Sequence, residues 1–476
     1  MTYVLLSDVL KNVEIISSNC NLDMEISAIC HDSRYVEKGA LFVAISGFQT
    51  DGNKYAESAV NSGAVAVLTE SPDESLPYVQ VKNARRALAV VAAEFNGNPS
   101  KKMKMIGVTG TNGKTTVTYL LKQILEENGK KVGLIGTNQN MIGDEIIPTE
   151  RTTPDGNGLQ SLFARMEKAG CDCVVMEVSS HSLVLDRVYG IDFEVGIFTN
   201  LSQDHLDFHG DMENYAKAKA VLFDRCKYGV VNIDDEYATY MLEGNCKYLT
   251  SSVKGKDADM VCKNLKLGEK GVSFNVNGVA FKLGIPGEFS SYNALSVICA
   301  AYALGISLEA SAKTLADAVG VCGRAEVVPT PTDYTVMIDY AHSPDGLENI
   351  LNTVRGFVRG RIIVVFGCGG NRDATKRPIM GEIASRLGDV VVVTSDNPRC
   401  EEPMEIINQI LPGVNRDDAE VYVEESRPRA IHYALSIAKK GDVVLLAGKG
   451  HETYQEINGV KHHMDEREIV SEYFDK

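Results

Sequence analysis

Short apolar runs alternate with stretches of helical spacing along most of the chain, and this alternation predicts an α/β protein. Residues 105–108 are apolar in the manner of a buried strand. Apolar side chains then recur at helical spacing over 117–125, which predicts a helix that ends before Gly129. The same patterns predict strands at 132–135, 173–178 and 195–199 and a helix near 159–169. This order is typical of a doubly wound parallel sheet, in which ligands bind at the carboxyl ends of the strands.

The patterns also divide the chain into three predicted domains. Residues 1–100 form a smaller amino-terminal α/β domain, which ends in an alanine-rich helical stretch followed by Gly97, Asn98 and Pro99. Residues 101–324 form the central domain, with a more β-like insertion at 260–283. Residues 325–476 repeat the α/β pattern. Their predicted buried strands are at 335–339, 362–366, 390–394 and 443–447.

A glycine-rich loop separates the strand at 105–108 from the helix that follows it. The loop reads GTNGKTT and departs from the strict P-loop consensus, because Val108 stands where the first glycine would fall. Such a loop places backbone N–H groups and the positive end of a helix around one point, which suits a phosphate. Lys114 would reach the outer phosphates and Thr115 would bind Mg²⁺. A glycine loop alone can be a tight turn, but this combination predicts nucleotide binding.

Composition limits the partners and the compartment of the protein. The net charge of -16 argues against a nucleic-acid partner, because binding to a phosphate backbone needs a basic face. The eleven cysteines are scattered without a C-x-x-C motif, which favours free thiols in a reducing compartment over disulfides or zinc. No apolar run approaches the roughly 18 residues of a membrane span, and no signal-peptide pattern is present. We therefore expect a cytoplasmic protein without a membrane partner.

Three side chains of the central domain are candidates for chemistry. Glu177 ends a predicted strand one crossover from the phosphate loop, where a carboxylate can meet the same Mg²⁺. His205 and His209 have helical spacing, but the general base of a zinc protease is missing between them. Their spacing alone favours a pair of surface histidines. Lys219 lies in a helical stretch at 214–223, where its residue type alone favours a solvated charge.

Polar loops follow all four predicted strands of the third domain. Because the carboxyl ends of parallel strands lie at one edge of a sheet, these loops are expected to outline one cleft. A single polar loop is more often a turn than a binding site, but four together favour a ligand. Their candidate residues are Asp339, Arg372, Asp396, Asn397, Pro398, Arg399, Gly448 and Glu452.

Five motifs in chain order resemble those of the Mur ligases, namely GTNGKTT, MEVSSH, FTNLSQDHLDFHG, DYAHSPDGL and DNPR. The resemblance extends from Asp32 to Glu452, which is nearly the whole chain. It implies a three-domain α/β architecture. The implied domains are an amino-terminal one that holds UDP-MurNAc, a central P-loop ATPase with a doubly wound parallel sheet, and a carboxyl-terminal Rossmann-like domain that binds an amino acid.

The resemblance also implies an ATP-dependent, amide-forming ligase of peptidoglycan precursor synthesis, acting as a monomer with Mg²⁺. In the implied reaction, ATP phosphorylates a carboxylate of UDP-MurNAc-L-Ala-D-Glu, and an amine of meso-diaminopimelate attacks the acyl phosphate. Phosphorylation is needed because a carboxylate is a poor electrophile until its oxygen becomes a leaving group. Catalysis then consists mostly of positioning and charge neutralisation.

Residue roles in ATP and metal binding are carried over by motif from the resemblance. The implied ATP-binding residues are Gly110, Thr111, Asn112, Gly113, Lys114, Thr115, Thr116, Asn293, Arg324 and Asp339. The implied catalytic residues are Lys114, Glu177, His205 and Lys219. The implied metal ligands are Thr115 for one Mg²⁺ and Glu177 and His205 for a second, with Lys219 as a further ligand. The resemblance thus replaces the surface interpretation of His205. Lys219 would carry a carbamate, whose oxygen donors suit Mg²⁺.

The UDP-MurNAc-dipeptide is assigned its own set of residues by the resemblance. These are Ser33, Thr152, Thr153, Ser179 and Arg187, with a uridine-contacting turn at Phe48, Gln49 and Thr50. Two positions depart from the family pattern. Leu185 stands where some members have glutamine, which puts one polar contact in doubt, and Arg151 stands where some have asparagine.

The resemblance assigns meso-diaminopimelate to the loops of the third domain. The implied contacts are Arg372, Asp396, Asn397, Pro398, Arg399, Gly448 and Glu452. Diaminopimelate has one carboxylate more than lysine, and the Arg399 guanidinium can bind it through two hydrogen bonds. Lysine would leave Arg399 unpaired, at a cost of roughly 1 to 3 kcal/mol. The structural alternative is an arginine that caps the following helix.

Three other functions stay open at this stage. An L-lysine-adding ligase is disfavoured by Arg399, and a folylpolyglutamate synthase is disfavoured by the domain that contains Ser33. A binding module that hydrolyses ATP without forming a bond belongs to another class. Its ATP turnover would be independent of both the amine and the UDP-sugar peptide.

Overall fold

The computed structural model describes residues 3–47, 50–149, 151–268, 271–318 and 320–475, with Asp207 described by its backbone only. The chain divides into two compact units. The first comprises Met1–Ser251 and Ser296–Ile306, and the second comprises Ser252–Leu295 and Ser307–Lys476. The architecture is α/β, with a separate main sheet in each of the three predicted regions. The predicted domain boundaries at 100/101 and 324/325 stay predictions.

The amino-terminal part of the first unit contains a five-stranded sheet. Its strands from edge to edge are Ile15–Ser18, Tyr78–Val81, Ala66–Thr69, Ala40–Val43 and Ala28–Cys30. Only the first pair is antiparallel. Helix Ala84–Phe95 covers one face because its Leu88 and Val91 join the same buried cluster as Leu41. Its first turn is capped by the Asn83 side chain, which accepts a hydrogen bond from the Arg86 N–H.

The remaining elements of this region are short. The helices are Leu6–Leu10 and Ala56–Asn61, the 3₁₀ turns are Ser33–Tyr35, Gly52–Tyr55 and Pro99–Lys102, and an antiparallel pair joins Val4–Leu5 to Glu25–Ile26.

The large sheet of the first unit is parallel over most of its width. Eight of its nine strands are, in spatial order, Glu145–Ile147, Asn140–Ile142, Val132–Ile135, Cys173–Glu177, Lys104–Thr109, Phe193–Phe198, Cys226–Asn232 and Lys247–Ser252. The first two strands pair in an antiparallel manner, and the last six are parallel to one another. Strands covered on both faces are continuously apolar, which is why these runs were recognisable in the sequence. The order confirms the predicted doubly wound sheet.

Helices connect and cover these strands. They are Lys114–Glu127, Gly156–Lys168, Ser180–Val184, Leu206–His209, Met212–Ala220 and Ala238–Met241. The helix predicted at 214–223 ends earlier, because the chain tightens into the 3₁₀ turn Val221–Arg225. Helix Glu288–Ala303 passes through the boundary between the two units at Ser296.

The second unit contains a six-stranded sheet. Its strands in spatial order are Glu326–Val328, Thr335–Asp339, Val443–Ala447, Ile362–Phe366, Val390–Val393 and Glu420–Val423, of which only the first is antiparallel. The helices around it are Pro344–Arg355, Lys376–Leu387, Pro403–Ile410, Arg427–Ile437 and Glu466–Phe474. A 3₁₀ turn, Leu411–Gly413, follows the third of these helices. A hairpin of Tyr454–Ile457 and Val460–His463 follows the last parallel strand.

The predicted β-like insertion is an antiparallel sheet in the second unit. Its strands are Lys263–Gly268, Gly271–Val276 and Val279–Leu283, with Met260–Val261 before them and helix Leu308–Asp317 further along the chain. All eleven cysteines are free thiols. Within the described residues, no helix is both long and apolar enough to cross a membrane.

Candidate functional site

The predicted phosphate loop joins strand Lys104–Thr109 to helix Lys114–Glu127. Gly110 and Gly113 have φ values of +146° and +84°, which side chains disfavour. A Cβ atom at Gly110 would also overlap the hydroxyl of Thr199. The loop can therefore approach its neighbours only because these two positions are glycine. A glycine turn that ends at a helix N-terminus has the backbone geometry of an anion site.

Lys114 and Thr115 begin that helix and point to different partners. The Lys114 Nζ donates to the carbonyls of Gly110 and Thr111, at 3.0 and 2.8 Å. The buried Thr115 hydroxyl donates to Glu177 Oε1 at 2.9 Å. The lysine is thus folded over its own loop onto neutral acceptors, which a phosphate oxygen can replace.

The segment after strand Phe193–Phe198 holds the loop in place. The Asn200 carbonyl accepts a hydrogen bond from the Thr111 N–H, and its side-chain oxygen accepts one from the Asn112 N–H, both at 2.9 Å. The Thr199 hydroxyl donates to the Asn112 carbonyl at 2.6 Å. Sequence reasoning assigned no role to Thr199 or Asn200, although their position at the end of a parallel strand was a usable signal.

Glu177 is fully buried at the end of strand Cys173–Glu177. Besides Thr115, its carboxylate accepts hydrogen bonds from the Thr137 N–H at 3.0 Å and from the Thr137 hydroxyl at 2.9 Å. Thr137 was not predicted. It follows strand Val132–Ile135, which neighbours the strand that carries Glu177. The carboxylate therefore has a fixed position between two loops of the sheet edge.

The residues predicted to contact the UDP-MurNAc-dipeptide in the central region lie next to Glu177. The Thr152 and Thr137 hydroxyls are 3.0 Å apart. The Thr153 hydroxyl donates to the Glu177 carbonyl at 2.9 Å and accepts from the Ser179 N–H at 3.1 Å. The Thr153 carbonyl accepts from Arg187 Nη1 at 2.9 Å. The structure thus brings Thr152, Thr153, Ser179 and Arg187 together.

A cavity of about 560 Å³ in the first unit holds the other predicted contacts for this substrate. Ser33, Thr50 and Arg187 line it, together with Arg85 and Arg151. Burial lowers the pKa of Arg187, and the positive charge of Arg151 lowers it further. Arg34 also lines it, and three aspartates, Asp32, Asp155 and Asp186, stand among these four arginines. The guanidinium groups can bind an anionic ligand. Leu185 also lines the cavity, while Phe48 and Gln49 lie outside the described residues.

Lys219 is only 1% exposed, so the solvated charge expected from its residue type is wrong. Helix Met212–Ala220 directs its Nζ to the carbonyl of Gly110, at 2.9 Å, and to a point 4.6 Å from the centre of the Tyr215 ring. Burial lowers the pKa of Lys219 far below its usual value, and the charge of Lys114 lowers it further. Burial beneath the phosphate loop therefore favours the uncharged form of the Lys219 amine, and the uncharged amine is the nucleophilic form.

The two histidines of the predicted pair have different surroundings. The His205 side chain is 47% exposed, and its ring centre lies 4.8 Å from that of His181. His209 is buried, its Nε2 lies 2.9 Å from the Ser180 hydroxyl, and its ring stacks on Tyr215. The surface interpretation is thus wrong for His209, which packs into the first unit.

The predicted metal ligands are only partly brought together. Thr115 and Glu177 are in contact, and Lys219 and Lys114 both bond the Gly110 carbonyl. Over the described ranges, no group of three or more histidine, cysteine, aspartate or glutamate side chains is arranged to hold a metal ion.

The second unit contains the remaining residues predicted to contact ATP. Asn293 is buried on helix Glu288–Ala303, and the Arg324 guanidinium lies 5.1 Å from the centre of the Tyr340 ring. The Asp339 carboxylate accepts hydrogen bonds from the N–H groups of Ala325 and Ala341, at 2.7 and 2.9 Å. Burial raises the pKa of Asp339, while the charge of Arg324 opposes that change.

The loops predicted to bind the amino acid meet at the carboxyl edge of the six-stranded sheet. Asn397 Nδ2 donates to Glu452 Oε2 at 2.8 Å. Gly448 has a φ of +114°, which side chains disfavour, and a Cβ atom there would lie 2.8 Å from Asp396 Oδ2. That Asp396 oxygen is buried, and no described residue hydrogen-bonds it. The structure thus joins the DNPR segment to the loop that carries Gly448 and Glu452.

Arg399 is paired within the protein. Its Nε donates to Glu456 Oε2 at 3.2 Å, and its Nη1 donates to the Gly370 carbonyl at 2.8 Å. The expectation that lysine would leave Arg399 unpaired is therefore wrong, because Glu456 supplies a carboxylate. The helix-cap alternative is also wrong, since both bonds go to other segments. Arg372 is exposed, and a Cβ atom at Gly369 would lie 4.0 Å from its Cγ and 2.9 Å from Arg399 Nη1, so the two arginines lie near each other.

Family models match three segments of the chain. Residues 25–96 match the Mur ligase family catalytic domain, residues 108–301 match the Mur ligase middle domain, and residues 323–450 match the Mur ligase glutamate ligase domain.

Curated relatives extend over almost the whole chain. A UDP-N-acetylmuramoyl-L-alanyl-D-glutamate--2,6-diaminopimelate ligase of Caldanaerobacter subterraneus subsp. tengcongensis is 50% identical over 98% of both chains. A protein of the same name from Clostridium tetani is 47% identical over 99% of both chains. A solved structure of a ligase with this name is 32% identical, with a TM-score of 0.74 over 100% of this chain and 99% of that chain.

Proposed function

The chain belongs to the Mur ligase family, and on that premise we propose that it joins meso-2,6-diaminopimelate to UDP-MurNAc-L-Ala-D-Glu at the expense of ATP. The relatives that carry the name of this ligase match nearly the full length of the chain. One structural observation carries the proposal. Thr115, Glu177, Thr137 and Thr152 form a continuous chain of hydrogen bonds from the phosphate loop to the predicted dipeptide contacts.

That chain of hydrogen bonds fits the transfer of a phosphoryl group to a carboxylate. The γ-phosphoryl group moves from ATP to a carboxylate oxygen, which gives an acyl phosphate and ADP. The amine of diaminopimelate then forms the amide bond, and inorganic phosphate leaves with the former carboxylate oxygen. Lys114 and the N–H groups of the loop neutralise and orient the phosphates, and Thr152, Thr153 and Arg187 hold the acceptor.

We further propose that Thr115, Glu177, His205 and carbamylated Lys219 are the residues that hold Mg²⁺ in this ligase. Oxygen donors suit Mg²⁺, and the buried Thr115 and Glu177 side chains already present them. A bound Mg²⁺ would neutralise the negative charge of the phosphates. A neutral Lys219 amine can attack CO₂ and form a carbamate with loss of a proton, which its lowered pKa supports.

We assign the cavity lined by Ser33 and Arg187 to the nucleotide end of the UDP-MurNAc-dipeptide. Its guanidinium groups suit a diphosphate, and its volume of about 560 Å³ suits a large polar ligand. We assign the amino acid to the loops of Asp396, Arg399 and Glu452. A free diaminopimelate centre carries an ammonium and a carboxylate, and these loops offer both carboxylate oxygens and a guanidinium.

Phosphate release tests the reaction directly. The purified protein is incubated with ATP, Mg²⁺ and UDP-MurNAc-L-Ala-D-Glu, and with meso-diaminopimelate, L-lysine or neither. We expect turnover only with diaminopimelate, with a product whose mass is that of the UDP-MurNAc-tripeptide. Turnover with lysine instead would keep the ligase and overturn its specificity. ATP turnover that needs neither amine nor UDP-sugar peptide would overturn the ligase itself.

The carbamate has a separate test that needs no turnover. The protein is equilibrated with ¹³C-bicarbonate, and we expect a carbamate carbonyl signal in its ¹³C spectrum that disappears in Lys219→Arg. Lys217→Arg is the matched control, because Lys217 lies on the same helix but is exposed and paired with Glu213. A signal that survives Lys219→Arg, or no signal at all in the parent protein, would contradict the carbamate at Lys219.

A further inference from the structure

Lys449 follows Gly448 in the chain, three residues before Glu452, and is fully buried. Its Nζ donates to Asn397 Oδ1 at 2.8 Å and to Glu452 Oε2 at 2.7 Å. Asn397 Nδ2 donates to the same Glu452 oxygen at 2.8 Å. The three side chains therefore form a closed ring that links the DNPR segment to the last loop of the sheet edge.

The ring leaves one side of Glu452 available. Its Oε2 accepts from both Lys449 and Asn397, whereas its Oε1 has no hydrogen bond within the described residues. The Glu452 side chain is 14% exposed, while that of Lys449 is 0% exposed. Lys449 thus cannot touch a ligand in this arrangement, but it determines which carboxylate oxygen of Glu452 a ligand meets.

We propose that Lys449 is a positioning residue for the amino-acid substrate, which it serves by fixing Glu452 so that Oε1 receives the ammonium of the unreacted amino-acid centre. The inference rests on the proposed function, since it concerns binding of diaminopimelate by that same site. The paired arginine Arg399 takes the carboxylate of that centre, and Glu452 takes its ammonium. The two groups are recognised by separate, oppositely charged side chains.

Removal of Lys449 would allow the Glu452 side chain to leave its position, because a nearby positive charge would be lost. The positive charge offsets the cost of holding a carboxylate in a mostly buried position. Without it, Glu452 keeps only the neutral donor Asn397, and the carboxylate turns toward water. An ordered charge-assisted contact is lost, so KM for diaminopimelate should rise roughly tenfold to a hundredfold.

The test compares Lys449→Met with Lys461→Met in the full-length ligase. Lys461 is a matched control, because its Nζ also lies over the Tyr454 ring, at 4.2 Å against 5.2 Å for Lys449, but it is exposed on the hairpin. We measure KM for diaminopimelate, ATP and UDP-MurNAc-L-Ala-D-Glu separately. The expected result is a raised KM for diaminopimelate alone in Lys449→Met and unchanged constants in Lys461→Met.

A double-mutant cycle with Glu452→Gln separates positioning from a merely structural role. If Lys449 acts through Glu452, the double variant should raise KM for diaminopimelate no more than the larger single effect. Effects that multiply, or a rise in all three KM values, would overturn the proposal. Should Lys449→Met unfold, Lys449→Gln replaces it, and an unchanged KM for diaminopimelate in that variant would also overturn it.

The outcome for the parent protein keeps the two proposals apart. A parent that ligates diaminopimelate while Lys449→Met retains its KM contradicts only the role of Lys449. A parent that does not ligate diaminopimelate contradicts the proposed function.

Discussion

The phosphate-loop region of the first unit and the amino-acid loops of the second unit are built from different kinds of contact. Around the phosphate loop, neutral hydroxyls and backbone groups surround the buried carboxylate of Glu177, and burial lowers the pKa of the nearby Lys219. In the second unit, full charges face each other, as in the pairs Arg399–Glu456 and Lys449–Glu452. In the first region a phosphate would replace the neutral carbonyl partners of Lys114, whereas in the second the ligand would meet charged side chains that already have charged partners.

This difference predicts which kinetic constant a change in each region should affect. Preorganised dipoles and a fixed carboxylate act on charge that develops during the reaction, so changes there should lower kcat. Charged pairs that a substrate has to share set affinity and specificity, so changes there should raise KM for one substrate.

The largest expected effect is that of Lys114→Ala. Loss of the cation at the outer phosphates should lower kcat by on the order of a thousandfold or more, with the fold intact. Phosphate release measures the rate, and circular dichroism checks the fold. Lys130→Ala, which removes an exposed lysine just after the same helix, is the control. Retention of a tenth of the parent rate would contradict the phosphate-loop assignment. It would also contradict the expectation that changes in this region act mainly on kcat.

Arg399→Ala should have the next largest effect, and it should fall on one substrate. We expect KM for diaminopimelate to rise roughly tenfold to a hundredfold, because a charge-assisted contact to the extra carboxylate is lost. KM for ATP should stay within about twofold of the parent value. Arg416→Ala, at an exposed arginine before strand Glu420–Val423, is the control. Equal effects on both substrates would mean that Arg399 serves only to hold Glu456 and Gly370.

Thr137→Val sharpens the comparison at a residue that carries no charge. The variant keeps the N–H bond to Glu177 but removes the hydroxyl that bonds both Glu177 and Thr152. We expect kcat/KM for the UDP-MurNAc-dipeptide to fall roughly tenfold, the cost of about one buried hydrogen bond. The control is Thr314→Val, a buried threonine on helix Leu308–Asp317, which carries no predicted site residue. An unchanged kcat/KM would show that the Thr137 hydroxyl has no role in the reaction.

The smallest expected effect is a pH dependence of stability at His451, in the charged region. Burial, together with the charges of Arg324, Arg467 and Lys449, lowers the pKa of His451 from its usual 6.5 to about 4. The unfolded chain therefore binds a proton that the folded chain excludes, and the parent loses stability as pH falls from 6.5 to about 4. His451→Gln lacks this loss.

Thermal unfolding across that pH range measures the difference. The Tm of His451→Gln should rise relative to the Tm of the parent as the solution becomes more acidic. A Tm difference that stays constant over this range would show that His451 is not held neutral by its charged neighbours.

The sequence by itself determined the local elements and the phosphate loop. Strands Thr335–Asp339, Ile362–Phe366 and Val443–Ala447 have the predicted bounds, because a continuous apolar run reports burial on both faces. The loop after Thr109 could also be predicted from the sequence, because glycine spacing and a following helix are short-range features. The family motifs implied residue roles that spacing could not, as at Lys219 and His205, and these roles stay predictions.

Only the tertiary structure decided which charges are buried and which are paired. Lys219 is buried and donates a hydrogen bond to the carbonyl of Gly110, which is 109 positions away in the chain. Arg399 finds Glu456 at a separation of 57 positions, and Lys449 finds Asn397 at 52. Such contacts depend on how the carboxyl ends of distant strands come together at one sheet edge. Residue type and local spacing do not show which distant segments come into contact. The burial and the partners of these charged side chains could therefore be known only from the folded chain.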